Sequence, residues 1–239
     1  MLPYYYFSTN PWYMLSILIM IPSVIIAGWA QMKVYSNYSK YSKVQNTARM
    51  TGEAAARQIL NANGLSHIAI QHVPGELSDH YDPGSKVIRL SDAVYDSTSL
   101  AAVAVAAHEC GHAIQDAQEY QPMRWRSRIA PVASFATQAS WIIIFAGLLL
   151  SLTDFAMLGA FLFGAVVLFH LVTLPVELNA SARALNILQS EQMLVGDEIV
   201  GAKKVLSAAA MTYVAAVITA VLELIRLIIM ALMFRRNRW

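Results

Sequence analysis

Residues 129–176 read IAPVASFATQASWIIIFAGLLLSLTDFAMLGAFLFGAVVLFHLVTLPV, and their only charged residue is Asp154. Ile129 to Thr153 and Phe155 to Val176 are each uncharged. At about 1.5 Å per helical residue, each is long enough to cross a hydrocarbon layer of ~30 Å. Inside a bilayer no water satisfies backbone N–H and C=O groups, so a spanning segment must satisfy them within itself, as a helix does. Two such runs joined by a short polar corner predict a transmembrane helical hairpin. Pro175, close to the end of the second run, is placed to kink or end that helix.

The pattern recurs towards both ends of the chain. No charge precedes Lys33, and Pro11 to Met32 is long enough to span. A membrane anchor is expected here rather than a cleaved signal peptide, because no basic segment leads the apolar run and no small-residue cleavage pattern closes it. Val205 to Phe234 is a fourth apolar run, interrupted by Glu223 and Arg226 and followed by Arg235, Arg236 and Arg238. Glu223 and Arg226 share a helical face, and an intramembrane ion pair or snorkelling towards the surface is expected of them. Composition agrees. Of 239 residues, 57% are hydrophobic and 13% charged, where a soluble domain carries about 25% charged residues. Mean hydropathy is +0.47, which excludes a disordered chain and an ordinary water-soluble enzyme. The net charge of +2 marks no basic surface for nucleic acid, and the single cysteine, Cys110, excludes an intramolecular disulfide. No internal repeat is present.

Charge divides the chain into an N-terminal anchor (1–32), a polar part (33–128), a transmembrane hairpin (129–176), a second polar segment (177–204) and a C-terminal helix with its basic tail (205–239). Lys33, Lys40, Lys43 and Arg49 follow the first span, Arg124, Arg126 and Arg128 precede the second, and Lys203 and Lys204 precede the fourth. Positive-inside bias therefore places both polar stretches in the cytoplasm. The tail arginines run against that bias if the last run crosses fully.

The chemistry lies in the first polar part. Thr98 to Glu119 reads as one helix, capped by Ser97 or Ser99 and filled by Ala, Val and Leu. It carries His108-Glu109-Cys110-Gly111-His112, the H-E-x-x-H pattern. Residues four apart share a helical face, so two imidazoles can reach one Zn²⁺, with Glu109 beside them as general base for water. A plain buried polar cluster on so apolar a helix would cost several kcal/mol (roughly, for unsatisfied groups), which a metal offsets better. Cys110 points off the histidine face and reads as a small buried thiol.

A catalytic zinc takes three protein ligands. Glu177, in Leu174-Pro175-Val176-Glu177-Leu178-Asn179-Ala180-Ser181, is the leading candidate. It is the first charge after a hairpin that must return the chain to the side it left, and so to the side of His108. The competing explanation is a helix-start glutamate held by the helix dipole after Pro175. His80, in a loop with Asp79 and Asp82, and His170, inside an apolar run, are weaker candidates. His67 and His72 fall in an expected strand and read as structural.

Ala106 to Gln115, followed by a membrane hairpin and Pro175-Val176-Glu177-Leu178-Asn179-Ala180-Ser181, resembles the YugP-type neutral zinc membrane metallopeptidases. The order also resembles the wider class of membrane gluzincins, which includes the HtpX proteases. The resemblance covers nearly the whole chain. In those proteases the third ligand lies in E-x-x-A-D. Glu177 and Ala180 match, while Ser181 stands where the Asp is, so support of a histidine ligand falls to a hydroxyl, a weaker acceptor than a carboxylate. The resemblance further implies a cationic or phenolic group that stabilises the tetrahedral oxyanion, and Arg183 is the candidate for it.

Thr47 to Asn63 reads as a helix ended by Gly64, and Ile68 to Val73 and Lys86 to Leu90 read as strands, the second after the turn Asp82-Pro83-Gly84. In the resembling peptidases a strand before the active-site helix forms the edge of the cleft. Lys86 to Leu90 is expected in that role, binding substrate as an added strand. The fold expected is a mainly α integral membrane protein of about four transmembrane helices with a small cytoplasmic α+β zinc-peptidase unit, gluzincin-like. The activity expected is that of an endopeptidase with one Zn²⁺, held by His108, His112 and Glu177, with Glu109 and Arg183 catalytic. Its substrates are membrane or membrane-associated proteins or peptides, with a place in protein quality control. The bilayer is a partner, nucleic acid is not, and a membrane-protein partner or further copies of the chain can complete the assembly. The alternative is a non-proteolytic membrane scaffold with a structural zinc site.

Overall fold

The computed structural model describes residues 11–150 and 152–236; Arg238 of the basic tail lies outside them. The elements in chain order are α1 (Pro11–Tyr41), α2 (Gly52–Ala62), β1 (Ala69–Val73), β2 (His80–Asp82), β3 (Val87–Ser91), α3 (Leu100–Ala117), α4 (Gln121–Leu149), α5 (Thr153–Ser190) and α6 (Asp197–Arg236). Helices α1, α4, α5 and α6 are long and apolar enough to cross a membrane. The helices outrun the uncharged stretches that announced them. Helix α5 does not end at Pro175 but continues to Ser190, so Glu177 stands inside it rather than at a helix start.

The chain forms two compact units. The first comprises residues up to Trp29, Trp125–Leu174 and those from Tyr213 on. Ile144, Ala160, Phe163, Val166, Val167, Ala220 and Leu227 form its core. Gly159 allows α5 to press on α4: a Cβ there would lie 2.9 Å from the Ser140 carbonyl oxygen, closer than side chains tolerate. The remaining apolar surface is turned outward. Phe135, Ile142, Phe145 and Phe161 are all about 70% exposed or more, a surface suited to hydrocarbon and not to water. The Arg226 Nε donates to Glu223 Oε2 at 2.8 Å, and its Nη2 to Oε1 at 2.5 Å, so the two charges neutralise each other as a forked pair.

The second unit, Ala30–Arg124 and Pro175–Thr212, holds the sheet and the H-E-x-x-H helix. Thr51 caps α2, accepting from Ala54 N at 3.1 Å, and α2 packs its buried Ala55, Ala56, Ile59 and Leu60 into the core. Of the two serines proposed as caps for α3, Ser99 does the capping, its hydroxyl accepting from Ala102 N at 3.1 Å. Leu100 to Ala104 and Ala106–Ala107 are all buried. The stretch is packed on more than one face, with Leu100 and Val103 buried among the alanines.

The sheet has the order β1-β3-β2, with β1 parallel and β2 antiparallel to β3. This corrects one expectation. Lys86 to Leu90 is the middle strand and not an edge, so it cannot accept a substrate strand. Its Ile88 and Leu90, two apart and so on one face, are fully buried. Nearness in sequence to α3 misled, because β2, the earlier strand, takes the edge beside that helix.

The Glu223–Arg226 pair yields a stability prediction. Arg226→Leu alone should cost about 2–3 kcal/mol by leaving a carboxylate uncompensated in the apolar unit, whereas Glu223→Leu/Arg226→Leu should recover most of that loss. Denaturant titration of the purified protein in mild detergent reads the difference; a double variant as unstable as the single one would contradict it.

Candidate metal centre

One close approach builds the site. At Gly111 a Cβ would stand 2.7 Å from the Ala180 carbonyl oxygen, so only glycine lets α3 lie this close to the Pro175–Ser190 part of α5. The sequence places His108 and His112 one turn apart on α3, and the crossing sets Glu177 of α5 opposite them. His108 Nε2 lies 3.2 Å and His112 Nε2 3.5 Å from Glu177 Oε2. The imidazoles meet edge to face, centroids 4.7 Å apart. His112 and Glu177 are buried, and His108 is partly so.

These residues fit a metal ion. Two donors each bound at 2.0–2.1 Å to one tetrahedral zinc lie about 3.3 Å apart, the spacing found here between each histidine nitrogen and the carboxylate. The three donor atoms all fall within 4.8 Å of one another. Two imidazoles and a carboxylate are the donor set of catalytic zinc. The local field also calls for a cation: burial pulls the His112 pKa down, yet the Glu177 hydrogen bond and the Glu109 and Glu177 charges outweigh it and push the pKa up.

Glu109 lies beside the cluster, nearly buried, and its Oε2 accepts the Tyr81 backbone N–H of β2 at 2.8 Å. That bond aims the carboxylate and ties α3 to the edge strand. The Tyr81 hydroxyl donates to Asp116 Oδ2 at 2.7 Å, and Lys86 pairs with the same oxygen, so the β2–β3 hairpin is clamped to the end of α3. Burial, then the Asp116 hydrogen bond, raise the Tyr81 pKa and keep the phenol protonated as that donor. Just before β2, Asp79 accepts Ser91 N and Ser91 Oγ. Burial raises its pKa against those bonds, with the Glu109 charge adding to the rise.

Each histidine has a partner on its far nitrogen. Ser181 Oγ lies 3.2 Å from His108 Nδ1, so the hydroxyl in place of the pattern's carboxylate does reach the ligand. His112 Nδ1 lies 3.0 Å from Gln115 Oε1. Sequence reasoning missed Gln115, although its spacing of three from His112 places both on one face of α3. It also missed Asn179 and the backbone of Tyr81; no side-chain pattern announces a backbone donor.

The other candidates stand elsewhere. Arg183 donates from Nε to Asn179 Oδ1 at 2.7 Å and from Nη1 to Gln118 Oε1 at 2.7 Å. His80 Nδ1 faces the Ser78 carbonyl oxygen at 2.8 Å and its Nε2 faces Arg89, away from the cluster. His72 pairs with Asp92 and stacks on Tyr95, His67 is exposed, and His170 belongs to the apolar unit. Cys110 is fully buried with its Sγ 3.6 Å from the Ala56 carbonyl oxygen. Burial raises its pKa, which keeps the thiol neutral and off the metal.

Four helices apt for a bilayer, with two histidines and a glutamate on one helix completed by a glutamate from another, define the class of membrane zinc metallopeptidases. The chain belongs to the family described as "Putative neutral zinc metallopeptidase", which it matches over residues 16–232. It is 45% identical over 219 residues to the "Putative membrane protease YugP" of Bacillus subtilis (strain 168), covering 92% of this chain and 97% of that one. No solved structure matches the chain.

Removing the third donor tests the cluster. Glu177→Ala should lower zinc occupancy of the purified protein by tenfold or more (about that order, a two-histidine site being under-coordinated). Metal analysis after dialysis against a weak chelator checks it, and full occupancy would move the third ligand elsewhere.

Proposed function

We propose that the protein is a zinc-dependent endopeptidase that hydrolyses peptide bonds of membrane or membrane-associated proteins at the cytoplasmic face. The single observation that carries this reading is Glu109: a buried carboxylate beside two histidines and Glu177, yet outside that donor set, held by a backbone N–H. A purely structural zinc site has no use for it. His108, His112 and Glu177 would hold one zinc ion, whose chemistry is to polarise a carbonyl and make water acidic near neutral pH. Glu109 would take the proton from the attacking water as the new C–O bond forms, and then deliver it to the leaving amine as the amide C–N bond breaks. The Tyr81 N–H holds Glu109 Oε2, so the carboxylate keeps its direction through both transfers.

Substrates drawn from the membrane follow from the apolar unit, which belongs to the same chain as the site. Orientation follows from the basic flanks, Lys33 to Arg49, Arg124 to Arg128 and Lys203–Lys204, which favour the cytoplasmic side. A place in protein quality control is part of the same proposal.

Glu109→Gln should retain zinc and fold while peptide hydrolysis falls by several orders of magnitude (about 10³-fold or more, from loss of the base). Comparing membrane-protein fragments and zinc content in cells with either form decides it: equal proteolysis at equal zinc would remove Glu109 from the mechanism. Topology has its own test. In a Cys110→Ser background, a cysteine at Lys43 should resist an impermeant thiol reagent in intact cells and one at Asp154 should react; the reverse pattern would put the site outside.

A further inference from the structure

A directed chain of hydrogen bonds leads from Arg183 to a metal ligand. Gln115 is wholly buried, and its Nε2 donates to the Val176 carbonyl oxygen and to Asn179 Oδ1, each at 2.9 Å. Its Oε1 faces His112 Nδ1 at 3.0 Å. Asn179 Oδ1 also accepts from Arg183 Nε at 2.7 Å.

An amide can in principle face either way, but here both ends of the chain are chemically one-way. A guanidinium has donors and no acceptor, so Asn179 must show it oxygen. A backbone carbonyl only accepts, so Gln115 must show Val176 its NH₂. The same NH₂ meets the Asn179 oxygen that Arg183 has turned towards it. Gln115 Oε1 is thereby forced towards His112, and only an Nδ1–H can satisfy it. The lone pair of His112 then resides on Nε2, the nitrogen that faces Glu177.

We propose that Arg183 is a positioning residue: by turning the Asn179 oxygen towards the Gln115 NH₂ it adds a second anchor, beside the Val176 carbonyl, for the amide that holds the His112 proton on Nδ1 and leaves Nε2 for the metal. This rests on the reading of His108, His112 and Glu177 as zinc ligands. It gives Arg183 a task different from oxyanion stabilisation, and the two are separable. A group that acts on the oxyanion changes turnover and leaves metal affinity alone. A group that orients a ligand changes metal affinity even without substrate.

The experiment measures zinc affinity of the full-length protein in detergent by competition with a chromophoric chelator. It compares the wild type, Arg183→Met, Gln115→Met and the double variant, with the fold checked by circular dichroism. Zinc binding by the wild type tests the metal reading; differences between variants test the chain. Gln115→Met should bind zinc about tenfold to a hundredfold more weakly, and Arg183→Met should show a smaller loss (about severalfold), because the Val176 carbonyl still holds the amide. The double variant should be no worse than Gln115→Met, because both act through one path. Asn179 supplies the control that packing alone would not pass. Asn179→Asp can only accept, keeps both donations and should stay close to wild type, whereas Asn179→Leu should lose as much as Arg183→Met. Asn179→Leu also replaces Arg183→Met should the latter not fold. Wild-type zinc affinity in Arg183→Met, additive losses in the double variant, or an Asn179→Asp as weak as Asn179→Leu would each overturn the proposal.

Discussion

The close approach of α3 and α5 at Gly111 and Ala180 is the constraint on which the site depends. His108 and Glu177 are 69 residues apart in the chain, and nothing local brings them together. With no side chain at Gly111, the two helix backbones come within reach of short polar groups on either side. Glu177 then reaches both histidines, Ser181 reaches His108, and Gln115 reaches the Val176 carbonyl. A methyl group at position 111 would part the helices, and every one of these distances would lengthen together.

What the helices enclose is polar, and that is costly unless each group has a partner. Glu109, His112, Gln115, Glu177 and Ser181 are all buried. The Tyr81 backbone serves Glu109, the two amides serve each other and a ligand, and the Ser181 hydroxyl serves the other ligand. The partners that hold the histidines are neutral. A hydroxyl and an amide orient an imidazole without adding charge, so Glu177 is the one carboxylate in the donor set.

The chain works in two solvents, and its long helices change composition accordingly. Before Pro175, α5 contributes apolar residues such as Phe163 and Val167 to a core whose outer surface suits hydrocarbon. After it, the same helix carries Glu177, Asn179, Ser181 and Arg183. Since Pro175 does not end α5, the ligand and its helpers sit on an uninterrupted helix, with fixed angular spacing between them. Within the apolar unit Glu223 and Arg226 neutralise each other as an ion pair.

By itself the sequence determined the elements whose causes are local. Apolar runs of spanning length marked four helices long enough to cross a membrane, H-E-x-x-H on an alanine-rich helix marked two ligands and a base, and the first charge after the hairpin marked Glu177. Each follows from burial or from the 3.6-residue period, which act along the chain. What lay beyond reach was decided across the chain. The order β1-β3-β2 put Lys86 to Leu90 in the middle of the sheet and β2 at its edge, because strand neighbours are chosen by pairing and not by succession. Gln115 and Asn179 gained their roles, and Arg183 its partners, from the crossing of two helices. A hydrogen bond acts over about 3 Å, so only the tertiary structure, which sets such distances between remote residues, could decide them.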